Sequence, residues 1–145
     1  MFPDHVITYI QSQKVGVLAV EMPDGSPHGS TVHFVYDSEK NTFLFETNKE
    51  YRKSQALHDK EKIRASLVIG TNEEDMKTLQ IDGVAMLITE DQKEWWNNIY
   101  LEKFPNKKEK STSPSVVRFI FVPTWYRFSD WKTPQGKQII GTDYI

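Results

Sequence analysis

The sequence has no cysteine, which removes a disulfide framework, a thiol nucleophile and any thiolate metal site. It also lacks a dominant charge: 18 Lys and Arg stand against 20 Asp and Glu, for a net charge of −2. So balanced a chain offers no broad positive field to nucleic acid or an anionic membrane. No apolar run approaches the roughly 20 residues of a membrane span. The opening MFPDHVITYI lacks the basic start and unbroken apolar stretch of a signal peptide. The expectation is a cytoplasmic protein that binds neither nucleic acid nor membrane.

Missing motifs narrow the chemistry further. His5, His28, His33 and His58 form no H-E-x-x-H pair and no ligand spacing, so no metal is expected. Ser26, Ser30 and Ser54 lie in no G-x-S-x-G elbow. Neither G-x-G-x-x-G nor G-x-x-x-x-G-K is present, which excludes the common dinucleotide and P-loop phosphate sites.

What is there reads as one domain spanning residues 1–145, mainly β. Asp4–Lys14 carries a helical stripe of Val6, Ile7 and Ile10. Val15–Val20 is a continuous apolar run, expected as a strand buried on both faces. Ser30–Tyr36 alternates, with Val32, Phe34 and Tyr36 on one face and Thr31, His33 and Val35 on the other. With Thr42–Thr47 these segments predict an antiparallel meander. Ile63–Ile69 and Lys77–Thr89 supply further strands, and the alternation in the second slips at Gly83, as a bulge or corner requires. Glu90–Phe104 reads as a helix stopped by Pro105, with Trp95 and Trp96 adjacent on it, so that only one can face the core. The KKEK run at Lys107–Lys110 is expected as a flexible, solvated loop. Val116–Val122 is the last clear strand, ended by Pro123, and the tail continues from Thr124 to Ile145. Five or six strands with turn signals, few helices and a glycine bend predict a small antiparallel barrel.

The segment TFLFETNKEYRKSQAL, residues 42–57, carries the sharpest signal. Thr47 and Glu50 have capping-box spacing, which predicts a helix starting near Asn48. Helix N-termini favour anions, yet Lys49, Arg52 and Lys53 crowd this one. A bound phosphate resolves the conflict by accepting backbone N–H groups and neutralising the cations together.

The succession HGSTVHFVYD, TFLFETNKEYRKSQAL, IRASLVI and LQIDGVA, followed by Phe104-Pro105 and VVRFIFVPTWYRFSD, resembles the FMN-binding split-barrel family, the pyridoxamine 5′-phosphate oxidase-like proteins. A small single-domain subgroup is the nearest likeness. The resemblance implies a six-stranded antiparallel split β-barrel with a few flanking helices, and a homodimer with flavin mononucleotide (FMN) at the subunit interface. It implies phosphate contacts from Arg52 and Lys53, with Lys49 beside them, and a cofactor contact from Thr47. It lays the flavin ring along Ser30, Thr31, Val32 and His33, places Gln80 near the ring, and adds a C-terminal aromatic for which Trp125 and Trp131 are equal candidates. Basic residues expected in the second strand of true pyridoxamine phosphate oxidases are missing here, as is their C-terminal Arg-His pattern, so vitamin B6 oxidation is not expected. The resemblance thus implies a flavin-dependent oxidoreductase acting on an unnamed small molecule, with no catalytic residue assigned. A non-catalytic flavin- or haem-binding carrier, sensor or stress protein stays open, as does a deazaflavin in place of FMN.

Overall fold

The computed structural model describes residues 1–142, so the end of the predicted tail, 143–145, lies outside the described residues. The elements are α1 (Asp4–Ser12), β1 (Val15–Glu21), β2 (Pro27–His33), β3 (Val35–Asp37), β4 (Thr42–Asn48), α2 (Arg52–Asp59), β5 (Ile63–Ile69), β6 (Lys77–Leu87), α3 (Lys93–Lys103), β7 (Val116–Thr133) and β8 (Gly136–Gly141). The strands form one antiparallel sheet in the order β2-β1-β5-β6-β7-β4-β3, with β8 added to β7.

Eight strands replace the six expected, and the difference has a simple origin. β2 and β3 are halves of the single predicted strand Ser30–Tyr36, broken at Phe34, whose N–H turns to the Lys14 carbonyl at 3.2 Å. Because β2 pairs with β1 and β3 with β4, this bent segment joins the two ends of the sheet and closes a six-membered ring. β8 is an outlying hairpin partner.

Alternation fills the interior. Leu18 and Val20 of β1, Val32, Phe34, Phe43, Phe45, Leu67, Ile81, Phe119 and Phe121 share one core. α1 adds Val6 and Ile10 to it, and α2 adds Ala56 and Leu57. The outer face of β3, β4 and β7 is covered in turn by α3, where Val35, Leu44, Trp96, Tyr100, Phe104 and Ile120 pack together. The strand buried on both faces is therefore β4, whose TFLF run is buried at every position. β1 is not: its burial alternates and Val17 is 37% exposed, because no helix covers that side.

Two boundaries differ from the sequence reading. β7 runs straight through Pro123, which faces Gly83 where the β6–β7 register shifts. Thr124 is the extra residue, and its hydroxyl donates to the Asp82 carbonyl at 3.2 Å. Proline, lacking an N–H, is tolerated at such a bulge. The capping box at Thr47 does not form either. Pairing of β4 with β7 continues through Thr47↔Val117 and Asn48↔Val116, so α2 begins only at Arg52, after an Asn48 side chain that accepts the Glu50 N–H.

Candidate functional site

Where β4 ends and α2 begins, the chain lines a cavity of about 190 Å³ with Thr31, Val32 and His33 from β2 and Glu46, Thr47 and Asn48 from β4. Tyr51 and Lys53 form the wall at the start of α2, and Lys107, Lys110 and Val116 close the opposite side. Lys53 is the central cation. Its side chain folds back from α2, leaves the residue only 7% exposed, and donates to the Ser30 hydroxyl at 3.2 Å. Among the described residues no carboxylate meets it, and burial lowers its pKa from the usual lysine value. Beside it the Thr47 hydroxyl is buried without a hydrogen-bond partner. An unpaired buried hydroxyl next to an uncompensated ammonium calls for an acceptor with negative charge.

The opposite wall holds a second polar group. Lys107 donates to His33 Nδ1 at 2.9 Å and to the Tyr100 hydroxyl at 3.2 Å, and its ammonium stands 3.8 Å from Glu46 Oε1. The Glu46 side chain is 8% exposed and its other oxygen, Oε2, has no partner. At that separation the attraction is about 4 kcal/mol for an effective dielectric of 20, against a desolvation cost of several kcal/mol per buried ion. Burial wins for both: the Glu46 carboxyl is raised and the Lys107 ammonium lowered from their ordinary pKa values, each opposed by the other's charge. Burial also lowers His33, aided by Lys107, Lys14, Lys103 and Lys110. Burial and the Glu46 carboxylate together push the Tyr100 phenol up.

Of the residues expected from the sequence, the cavity gathers Thr31, Val32, His33, Thr47 and Lys53, with Ser30 behind Lys53. Lys49 and Arg52 are exposed and outside its lining. Arg52 instead lies near Asp24, whose carboxyl is held low chiefly by Ser26 hydrogen bonds, with a smaller contribution from Arg52. Gln80 and Trp125 sit on the outer face of β6 and β7, where Gln80 accepts from Arg127 and Trp125 stands opposite Asp82. The expected solvated loop is also corrected: Lys107 is only 16% exposed and forms a wall of the cavity. Nothing local in KKEK announces this, since its partners Glu46 and His33 are some sixty to seventy residues away in sequence. Trp96 faces inward as one of the pair must, while Trp95 donates its indole N–H to Asp37 of the same chain at 2.7 Å.

The family model for pyridoxamine 5′-phosphate oxidase matches residues 2–130. The chain belongs to that family. No curated protein matches it. A heme binding protein from Mycobacterium smegmatis superposes with a TM-score of 0.77 at 16% identity, covering 98% of this chain and 59% of that one. This chain therefore spans less than two thirds of that protein. A putative pyridoxamine 5′-phosphate oxidase from Listeria innocua gives 0.66 at 25% identity, covering 86% and 95%. The heme storage protein of Vibrio cholerae gives 0.65 at 20% identity, covering 86% and 92%. These likenesses establish the split-barrel fold.

Proposed function

We propose that this family member is a cytoplasmic FMN-binding flavoprotein, active as a homodimer, that uses the flavin in a redox reaction on a small molecule. The observation that carries the reading is Lys53, a buried ammonium without a carboxylate, next to the unpartnered Thr47 hydroxyl. Together they fit a phosphate monoester, which accepts hydrogen bonds and supplies the missing charge. Lys110, across the same cavity, adds a third donor. In this reading Lys53 and Thr47 hold the phosphate, and Thr31 and His33 on the exposed face of β2 support the ring. Flavin, when bound, supplies the hydride and single-electron chemistry, while the protein binds and orients it. A cavity of about 190 Å³ takes a phosphate and part of its tether, below the roughly 300 Å³ at which ligand pockets begin. The rest of the ring needs a second wall, which a second copy of the chain provides.

Haem is the competing ligand, on the strength of the two neighbours described as heme proteins. Its propionates suit the same cations. Titrating the purified protein with FMN, riboflavin, deazaflavin and haem separates the readings. We expect FMN to bind about 10–100-fold more tightly than riboflavin, the value of a charge-assisted contact. Lys53→Ala should remove that preference and leave riboflavin binding unchanged. Equal affinity for FMN and riboflavin in the wild type would end the phosphate assignment. Anaerobic bleaching of bound flavin by NADH or NADPH, with reoxidation by an added acceptor, distinguishes an oxidoreductase from a carrier.

A further inference from the structure

His33 is exposed on β2 at the rim of the cavity, and its state is set from behind. Lys107 sits on the short 3-10 turn Pro105–Lys107 that follows α3, and its ammonium lies 2.9 Å from His33 Nδ1. An ammonium has three donors and no acceptor, so Nδ1 must receive this hydrogen bond. A neutral imidazole carries one N–H, which is thereby confined to Nε2. The doubly protonated ring is disfavoured as well, because its Nδ1–H would point at the lysine.

Every charged neighbour acts in the same sense or serves to hold Lys107 in place. Lys14 before β1, Lys103 on α3 and Lys110 beyond the turn all oppose a positive imidazole. Glu46 on β4 anchors Lys107 at 3.8 Å, and the Tyr100 hydroxyl takes a second hydrogen from it. The Phe104 ring lies under the ammonium at 4.7 Å and against the imidazole at 5.2 Å, which fixes the two side chains relative to each other. Among the described residues nothing accepts the Nε2 hydrogen. It is the free polar atom of a ring that lines the cavity.

Histidines that ligate metals show the reverse arrangement: the nitrogen away from the metal donates to a carboxylate or carbonyl, leaving the other lone pair free. Here the rear partner is a donor. We propose that Lys107 is a positioning residue that fixes His33 as an Nε2–H donor, so that the cavity rim grips an acceptor oxygen or nitrogen of its ligand and offers no imidazole to a haem iron. The inference deepens the flavin reading, and depends on it for the ligand but not for the tautomer.

The test begins with ligand-free, 15N-labelled full chain and a two-bond 1H–15N spectrum of the histidine rings at pH 7. The expected pattern for His33 is protonated Nε2 and unprotonated Nδ1. Lys107→Met should give mixed tautomers and raise the His33 pKa toward its ordinary value, and Lys107→Arg should restore the Nε2–H pattern. A wild-type Nδ1–H pattern, or a spectrum unchanged by Lys107→Met, overturns the proposal. The wild-type spectrum decides even where that variant does not fold. In binding, His33→Leu should weaken FMN about three- to tenfold, the value of one neutral hydrogen bond, while His33→Gln, which keeps a donor, should not. With ferric haem added, the absorption spectrum should be the same for wild type and His33→Leu. A low-spin band lost in His33→Leu overturns the exclusion of iron. A wrong tautomer thus defeats this inference alone, whereas the expected tautomer in a protein that does not bind FMN defeats the reading beneath it.

Discussion

Lys103, near the end of α3, shows what burial without a counter-charge does to a single side chain. Its ammonium donates to the Gln13 carbonyl and lies over the Phe34 ring at 4.5 Å, with Lys14 close enough to repel it. Burial pushes it down to about 8 from 10.5. The folded state therefore holds fewer protons than the unfolded chain between those two values, and stability rises with pH across that window. Below pH 8 both states are charged and the penalty is constant. Because the half-buried ammonium is partly screened by water, we expect denaturant unfolding of the wild type to gain only about 1–2 kcal/mol between pH 7.5 and 10.5 relative to Lys103→Met. Equal pH slopes in the two proteins would show that the ammonium is solvated. Lys53 shares the same depressed sign, but its cavity leaves room for an anion, so that FMN should reduce the contribution it makes to this slope.

At the scale of elements, the β6–β7 crossing decides the path of the chain. A Cβ on Gly83 would stand 2.2 Å from the Val122 carbonyl oxygen and 2.9 Å from the Phe121 ring, so that only glycine fits opposite Pro123. Gly83→Ala should cost about 1–3 kcal/mol by urea unfolding, as overpacking of a core does. Gly29→Ala, where nothing lies within 4 Å of the new Cβ, serves as the control and should be near neutral. The slip in alternation at Gly83 was legible in the sequence because period and glycine coincide. The continuation of β7 was not, because a bulge that absorbs Pro123 depends on the partner strand. The same logic governs α2. Capping spacing at Thr47 is a local signal, and the ladder with Val116 and Val117 overrides it. Of the misplaced cations, Lys53 lines the cavity, whereas Arg52 lies near Asp24. Lys107 and Glu46 were invisible as a pair because only tertiary closure brings a turn after α3 against β4.

At the scale of the whole molecule, the proposed homodimer needs a surface that completes the cavity. Val17 pairs with Thr31, a lining residue, so an apolar side chain 37% exposed borders the site on the uncovered face of the sheet. Tyr51, also lining, is 59% exposed. Farther along that face a depression of about 520 Å³ is lined by the short side chains of Ala19, Ser66 and Val84, with Asp82 and the Glu21–Arg64 ion pair at its edge. Gln80 and Trp125 project from the same face, through β6 and β7. Packing two copies here would bury apolar surface, and a stable pair needs about 800 Å² from each. In the homodimer proposed above, this packing would bring each copy's Gln80 and Trp125 toward its partner's cavity. Light scattering should accordingly give twice the 16.9 kDa chain mass. Val17→Arg, which buries an unpaired charge at the centre of that contact, should yield a folded monomer by circular dichroism and weaken FMN binding more than about tenfold. A wild-type monomer that binds FMN tightly would mean instead that one chain holds the ring unaided, and would place Gln80 and Trp125 outside the site.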